Sequence, residues 1–444
     1  DATTEDMLSS TEEMLSSPTF LSNLATFLKP PHVLLQVLAN DPPTTTPDVD
    51  EALELLPDFP CSLQDPFPKG ALQVDVHSLP LSLQLEHPTL QLLRNRMKRG
   101  SKPGKRRDGC KLGLVVEGGG MRGVVSGGML MAVHDLGMRD AFDAVYGSSA
   151  GAINATYFLT GQPYGLDVYA DDISNKTFLD FKRIIGPDPV MNLDFLIDYV
   201  MNEVKPMDFE KVIDSPIPLK VVASSLDTLQ PILLQSFSTP QELAEALKAS
   251  ATVPEIAGSP RVIQGERLVD AAVFEPIPYR AAIKDGCTHV LALCSKPPSV
   301  QSPVQKVVRK VVDIAVNRII NNPPYMKAAS QVWLEEMKTN GGLTQEELML
   351  ISMFQGLKGG SPSAAGGQIL PIYPPPRHFL SPTCTVPSKL RMGAEAGRLS
   401  ACRVLEPLAS GPTGLFPFLS SRVLEPLASG PTGLLPFLSS RWNI

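Results

Sequence analysis

Cysteine and histidine are both scarce, six of each in 444 residues. Cys61, Cys110, Cys287, Cys294, Cys384 and Cys402 lie far apart, with no CxxC pair and no histidine cluster beside them. That spacing argues against a zinc site or a dense disulfide framework and points to a reducing, intracellular setting, cytoplasmic or peripheral to a membrane. No D-x-D-x-D-G loop is present, so neither a calcium ion nor any other metal or cofactor is expected. Long apolar runs are missing too. The nearest, from Phe20 to Ala39, is broken by Lys29, Pro30 and Pro31, short of the roughly 18 residues that suggest a membrane span. Net charge is only -7, too modest to argue for a partner. The chain begins at Asp1 rather than methionine, so a missing targeting segment carries little meaning.

What is present is an apolar content of 43%, which suits a globular protein. The 43 prolines concentrate towards the two ends, which points to an ordered centre with irregular flanks. Four regions follow: a Pro-rich stretch with a basic linker over 1–108, a catalytic domain over 109–300, a mainly helical extension packed on it over 301–402, and a tail over 403–444. In the tail, Arg403 to Ser421 recurs as Arg422 to Ser440, changed only at Phe416 against Leu435. Repeat folds need about three or more diverged units, so the tail is given no function. The linker carries Arg94, Arg96, Lys98, Arg99, Lys102, Lys105, Arg106 and Arg107, interrupted by Gly100, Pro103 and Gly104. It reads as a solvated linker, or as a patch that attracts anionic lipid headgroups at a membrane or lipid-droplet surface. No aromatic residue interleaves it, which argues against nucleic acid.

From Lys111 strand-length apolar runs alternate with helical patterns. Strands are expected at Leu112–Val116, Ala144–Tyr146, Leu219–Ala223, Ile232–Leu234 and Val290–Leu293, and helices at Val124–Leu136, Ala150–Leu159 and Pro240–Ala249, the last with Thr239 as N-cap. Such alternation implies a mostly parallel sheet covered on both faces. Beyond Ser302 helices are expected at Val304–Ile320, Pro324–Lys338, Thr344–Leu357 and Lys389–Cys402, with a late strand at Ile369–Ile372.

Two glycine-framed turns carry the chemistry. Glu117-Gly118-Gly119-Gly120-Met121-Arg122-Gly123 follows a strand and opens a helix. Consecutive glycines let backbone N–H groups converge on an anion, and the helix dipole adds positive potential. Gly118, Gly120 and Gly123 also satisfy G-x-G-x-x-G, but the second strand does not end in the acidic residue a dinucleotide site needs. It runs instead into Gly147-Ser148-Ser149-Ala150-Gly151, a G-x-S-x-G turn between strand and helix. A nucleophile elbow needs that context, with Ser149 exposed at its tip and small neighbours around it. A serine nucleophile needs a base. No histidine sits in a suitable turn after the elbow, and His134 and His289 read as structural. Asp270, closing the short run Leu268-Val269 and followed by Ala271-Ala272, is the better base.

In this order the pieces resemble the patatin-like phospholipases, whose pattern is D/E-G-G-G-x-R/K-G, then G-x-S-x-G, then D-G-A/G. Ala249-Ser250-Ala251-Thr252-Val253-Pro254 resembles that family's A-S-x-A-x-P segment, with Thr252 for the second alanine. The likeness covers residues 109 to 296. It implies a three-layer α/β/α sandwich and a Ser-Asp dyad, Ser149 and Asp270, that cleaves fatty acyl esters of glycerolipids through an acyl-enzyme. The oxyanion hole would come from the loop Gly118, Gly119, Gly120, Met121, Arg122 and Gly123, chiefly the N–H groups of Gly119, Gly120 and Met121. Arg122 would orient the loop or meet a lipid phosphate. One departure stands out: Ala271 replaces the family's glycine. If that position needs φ > 0, the alanine is strained, and a catalytically silent lipid binder is the alternative. A transacylase using the same dyad is the other.

Overall fold

In the computed structural model the described residues are 72–73, 86–162, 165, 167–254, 256–300, 345–357, 367–375 and 378–409. All fall within one compact unit, Pro60–Glu425, so the boundaries expected at 108 and 300 lie inside it. The helices expected over 304–320 and 324–338, and the tail beyond 409, lie outside the described residues.

The elements are α1 (Pro88–Lys98), β1 (Leu112–Val116), α2 (Gly123–Asp135), β2 (Ala144–Ser148), α3 (Ala150–Thr160), α4 (Phe209–Ile213), β3 (Leu219–Ser225), β4 (Gln230–Leu234), α5 (Pro240–Ala251), β5 (Arg261–Ile263), β6 (Glu266–Val269), α6 (Tyr279–Lys284), β7 (His289–Leu293), α7 (Gln345–Leu357), β8 (Gln368–Ile372) and α8 (Pro387–Ala409). The pairs β8/β7, β7/β1, β1/β2 and β2/β3 are parallel, whereas β4, β6 and β5 add antiparallel pairs. Every residue of β1, β2, β3 and β8 is buried, as expected of parallel strands covered on both faces. Successive right-handed crossovers β1-α2-β2 and β2-α3-β3 put α2 and α3 side by side on one face, where α5 joins them and α8 packs along α2. On the other face α6 touches β1, β2 and β7, and α7 lies against β8. The result is a three-layer α/β/α sandwich. The segment after 301 supplies a sheet strand, β8, as well as helices. Among the described residues no helix is long and apolar enough to cross a membrane.

Local sequence explains several boundaries. Thr239 accepts the N–H of Glu242 at 3.2 Å, the Glu242 carboxylate takes the N–H of Ser238 at 2.7 Å, and Pro240 stands at the first turn. Together they fix the start of α5.

The basic stretch departs from the linker reading. Arg96 is 1% exposed and bonds Asp108 and Asp143 at 2.8 and 2.7 Å, together with the carbonyls of Ala141 and Cys110. Arg106 bonds Asp143 at 2.7 Å. These two arginines clamp the segments that lead into β1 and β2, so they cannot serve a surface. Arg94, Lys98, Arg99, Lys102, Lys105 and Arg107 remain exposed, although Lys102 pairs with Asp140. The clamp sits at the amino ends of the strands.

Candidate active site

Both glycine turns leave the carboxyl ends of neighbouring parallel strands, β1 and β2, and this is where ligands gather in open α/β sheets. The register of β3 then brings in Asp270. Val221 and Val222 pair with Gly147 and Ser148 of β2 and also with Leu234 and Leu233 of β4. Ser224 pairs with Val269 of β6 and with Pro231 of β4. A strand has two edges, and β4 occupies one throughout, so β2 and β6 share the other. They run along it in opposite senses and stop at Ser148 and Val269, either side of Ala223. The next residue of each is Ser149 and Asp270.

The two side chains meet directly: the Ser149 hydroxyl donates to Asp270 Oδ2 at 2.7 Å. Asp270 Oδ1 accepts the N–H of Ala272 at 2.7 Å, and the Asp270 N–H donates to the Thr252 carbonyl at 2.8 Å. The pair is enclosed, with Ser149 7% and Asp270 2% exposed. Burial pushes the Asp270 carboxyl up from 3.8 to about 6, against the opposing pull of the bonds from Ala272 and Ser149. That brings a weak base nearer to neutral pH.

Ser149 has φ 53° and ψ -130°, a sparsely populated conformation for a side-chain-bearing residue that costs about 1–3 kcal/mol and is common at functional turns. The elbow is closely wrapped. A Cβ at Gly151 would strike the carbonyl of Val116, and one at Gly147 the backbone of Ala152. Ser148 turns its hydroxyl inward, to the Glu275 carbonyl at 3.0 Å, and Ala150 lies against Gly123.

The loop ahead of α2 lies on the elbow: a Cβ at Gly118 would come within 2.8 Å of Ser149 Cβ. Gly119 and Gly120 have φ of 129° and 58°, a path closed to most residues. Among the described residues no backbone carbonyl accepts from the N–H of Gly118, Gly119 or Gly120. Met121 corrects the expectation, since its N–H donates to the Pro382 carbonyl at 2.9 Å. The N–H of Arg122 is turned back to Gly119 O, and that of Gly123 to the carbonyls of Gly120 and Met121, so the free donors are the three glycines. Arg122 lies over Gly119, donates to Ser295 Oγ at 3.1 Å and stacks on Phe379 at 5.9 Å, a loop-orienting position. Beneath it the buried Glu117 carboxylate accepts the Ser295 N–H at 2.6 Å, and Ser295 Oγ donates to Gly118 O at 2.8 Å. Burial raises the Glu117 carboxyl.

Ser295 was not foreseen. Its signal is topological: β7 pairs in parallel with β1, Leu293 opposite Val116, so residues just past β7 fall beside the glycine loop. Ala271 is buried and is not among the residues with positive φ. It opens a short 3-10 turn capped by Asp270, so the position requires no glycine. Three described histidines stand elsewhere. His289 begins β7 and bonds Thr288, His134 lies in the last turn of α2, and His87 caps α1. A cavity lined by Leu130, Met131, His134, Tyr157 and Phe158 opens between α2 and α3 and reaches neither Ser149 nor Asp270. Among the described residues no cluster of His, Cys, Asp and Glu could hold a metal ion.

Residues 114–283 match the family model of the patatin-like phospholipases. The uncharacterized protein YjjU of Escherichia coli (strain K12) is 26% identical over 194 residues, covering 42% of this chain and 52% of that protein. The chain thus spans about half the length of that curated relative. Among solved structures, VipD from Legionella pneumophila is similar at 13% identity over 67% of each chain, with a TM-score of 0.34.

Proposed function

We propose, from the premise that residues 114–283 form a patatin-like phospholipase domain, that this protein is a serine lipid-acyl hydrolase that cleaves fatty acyl esters of glycerolipids. The observation that carries the reading is the 2.7 Å bond from the Ser149 hydroxyl to the buried Asp270 carboxylate.

Asp270 takes the Ser149 proton as Oγ attacks the ester carbonyl. The carbonyl oxygen gathers charge against the unengaged N–H groups of Gly118, Gly119 and Gly120. One such donor is worth on the order of 100-fold or more in rate. Collapse breaks the C–O bond, the alcohol leaves with the proton held by Asp270, and Ser149 carries the acyl group. Water then gives its proton to Asp270, attacks the acyl-enzyme, and releases the fatty acid as the proton returns to Oγ. Asp270 serves both half-reactions because its carboxyl is raised towards neutral pH. Ala271, the departure that motivated a silent binder, leaves Asp270 bonded to Ser149 without left-handed backbone. The exposed Arg94, Lys98, Arg99, Lys105 and Arg107 lie at the opposite end of the strands, where they can hold the protein near an anionic surface without lining the acyl site.

The test is labelling with a fluorophosphonate serine probe. Wild type should label, Ser149→Ala should not, and Asp270→Asn should label far more slowly. A folded wild type that resists the probe, or a Ser149→Ala variant that still takes it, refutes the assignment.

A further inference from the structure

We propose that Ser250 is a positioning residue for the dyad: its buried hydroxyl bridges the backbone of Ser149 to strand β3 and holds the nucleophile elbow in its strained turn. The inference rests on the hydrolase reading and extends it to a residue with no part in the chemical steps.

The β2–β3 ladder stops at Ser148 opposite Val222, because Ser149 turns out of the sheet at φ 53°. The Ser149 N–H and the Val222 carbonyl are left facing the end of α5. Ser250 sits there, 0% exposed. Its Oγ accepts the Ser149 N–H at 2.8 Å and donates to Val222 O at 2.6 Å. The polarity is fixed, since an N–H can only give and a carbonyl can only receive. The hydroxyl stands in for the ladder bond that the turn gives up. Two residues on, the Thr252 carbonyl accepts the Asp270 N–H at 2.8 Å, and Thr252 Oγ1 is tied back to Lys248 O at 2.7 Å. One short segment therefore holds the backbone of both nucleophile and base, from the capped and buried end of α5.

Ser250→Ala strands two buried polar groups at a turn whose conformation costs energy. The elbow then has a reason to relax and carry Oγ away from Asp270. Displacements of about 1 Å in a reacting group can cost on the order of 100-fold in rate, so kcat should fall about 10- to 100-fold while KM stays within about twofold.

The experiment compares full-length wild type, Ser250→Ala and Ser400→Ala, the last removing a buried hydroxyl bonded to Ala396 O, away from the dyad. Two quantities are read: deuterium exchange of the peptide spanning 145–153, and kcat and KM on a soluble fatty acyl ester. Faster exchange in that peptide for Ser250→Ala alone, with loss in kcat alone, supports the proposal. Unchanged exchange overturns it whether or not the protein turns over ester, and faster exchange with kcat within twofold of wild type overturns it as well. Wild-type protein without Ser149-dependent turnover sinks the hydrolase reading, while exchange alone still judges the bridge. If Ser250→Ala does not fold, Ser250→Cys, near in size with a weaker donor, takes its place under the same criteria.

Discussion

Asp270→Asn should make the fold more stable while removing activity, and the gain should appear only above acidic pH. The carboxyl is fully enclosed, and burial raises it from 3.8 to about 6. Below about 3.8 it is protonated in both folded and unfolded chains, and the site costs nothing. Between 3.8 and about 6 the unfolded chain releases its proton while the folded one keeps it, so stability falls as pH rises. Above 6 both are ionised and the deficit is constant. At about 1.36 kcal/mol per pH unit the deficit reaches about 3 kcal/mol. Asparagine removes the charge and keeps the contacts: its oxygen can accept the Ala272 N–H, and its amide can donate to Ser149 Oγ, both 2.7 Å contacts here. The variant should therefore melt about 5 °C above wild type at pH 8, given about 1–2 °C per kcal/mol in a unit as large as Pro60–Glu425. The gap should close by pH 4. Melting both proteins across that range by calorimetry or circular dichroism isolates the term, because every other titrating group is common to both. A gap that is equal at pH 4.5 and pH 8, or a variant less stable at pH 8, refutes the claim that burial is what makes Asp270 a base.

The same carboxyl fixes the pH dependence of turnover. Wild-type kcat/KM should rise about tenfold per pH unit on the acid side and level off above about 6; a plateau reached near pH 4 would show that the carboxyl keeps its ordinary value. At the other end of the sheet, Arg96→Ala should cost about 3 kcal/mol, because it leaves Asp108 without its buried partner and Asp143 with Arg106 alone. Equilibrium denaturation reads it, and a loss under about 1 kcal/mol would return the basic stretch to the linker reading.

Much of the fold was legible because its signals are local. Leu112–Val116 is a short run rich in Leu and Val that ends in Glu117 and three glycines, and the strand occupies those residues. Thr239 and Pro240 announce a helix start, and the helix begins there. The elbow was legible for the same reason, since G-x-S-x-G between strand and helix is a contiguous pattern. What escaped was set by distant chain. Nothing near Met121 foretells that Pro382 takes its N–H. Nothing near Arg96 foretells that Asp143, 47 residues on, takes its guanidinium. A basic run looks the same in sequence whether its charges face water or a carboxylate.

The pairing of Ser149 with Asp270 lies between these cases. Each residue is conspicuous in its own turn, but 121 positions separate them, and neither turn encodes the distance to the other. That distance comes from β3, among the described residues the only strand whose single edge carries one neighbour arriving and another departing. Ser148 opposite Val222 and Val269 opposite Ser224 leave one unclaimed position on that edge, Ala223, and the Ser149–Asp270 bond forms over it. A shift of one residue in either register would separate the side chains and turn the shifted strand's side chains to the opposite face of the sheet. The packing of β2 and β3, buried along their whole length, resists that shift, so the same packing that holds the sheet together also sets the separation of Ser149 and Asp270.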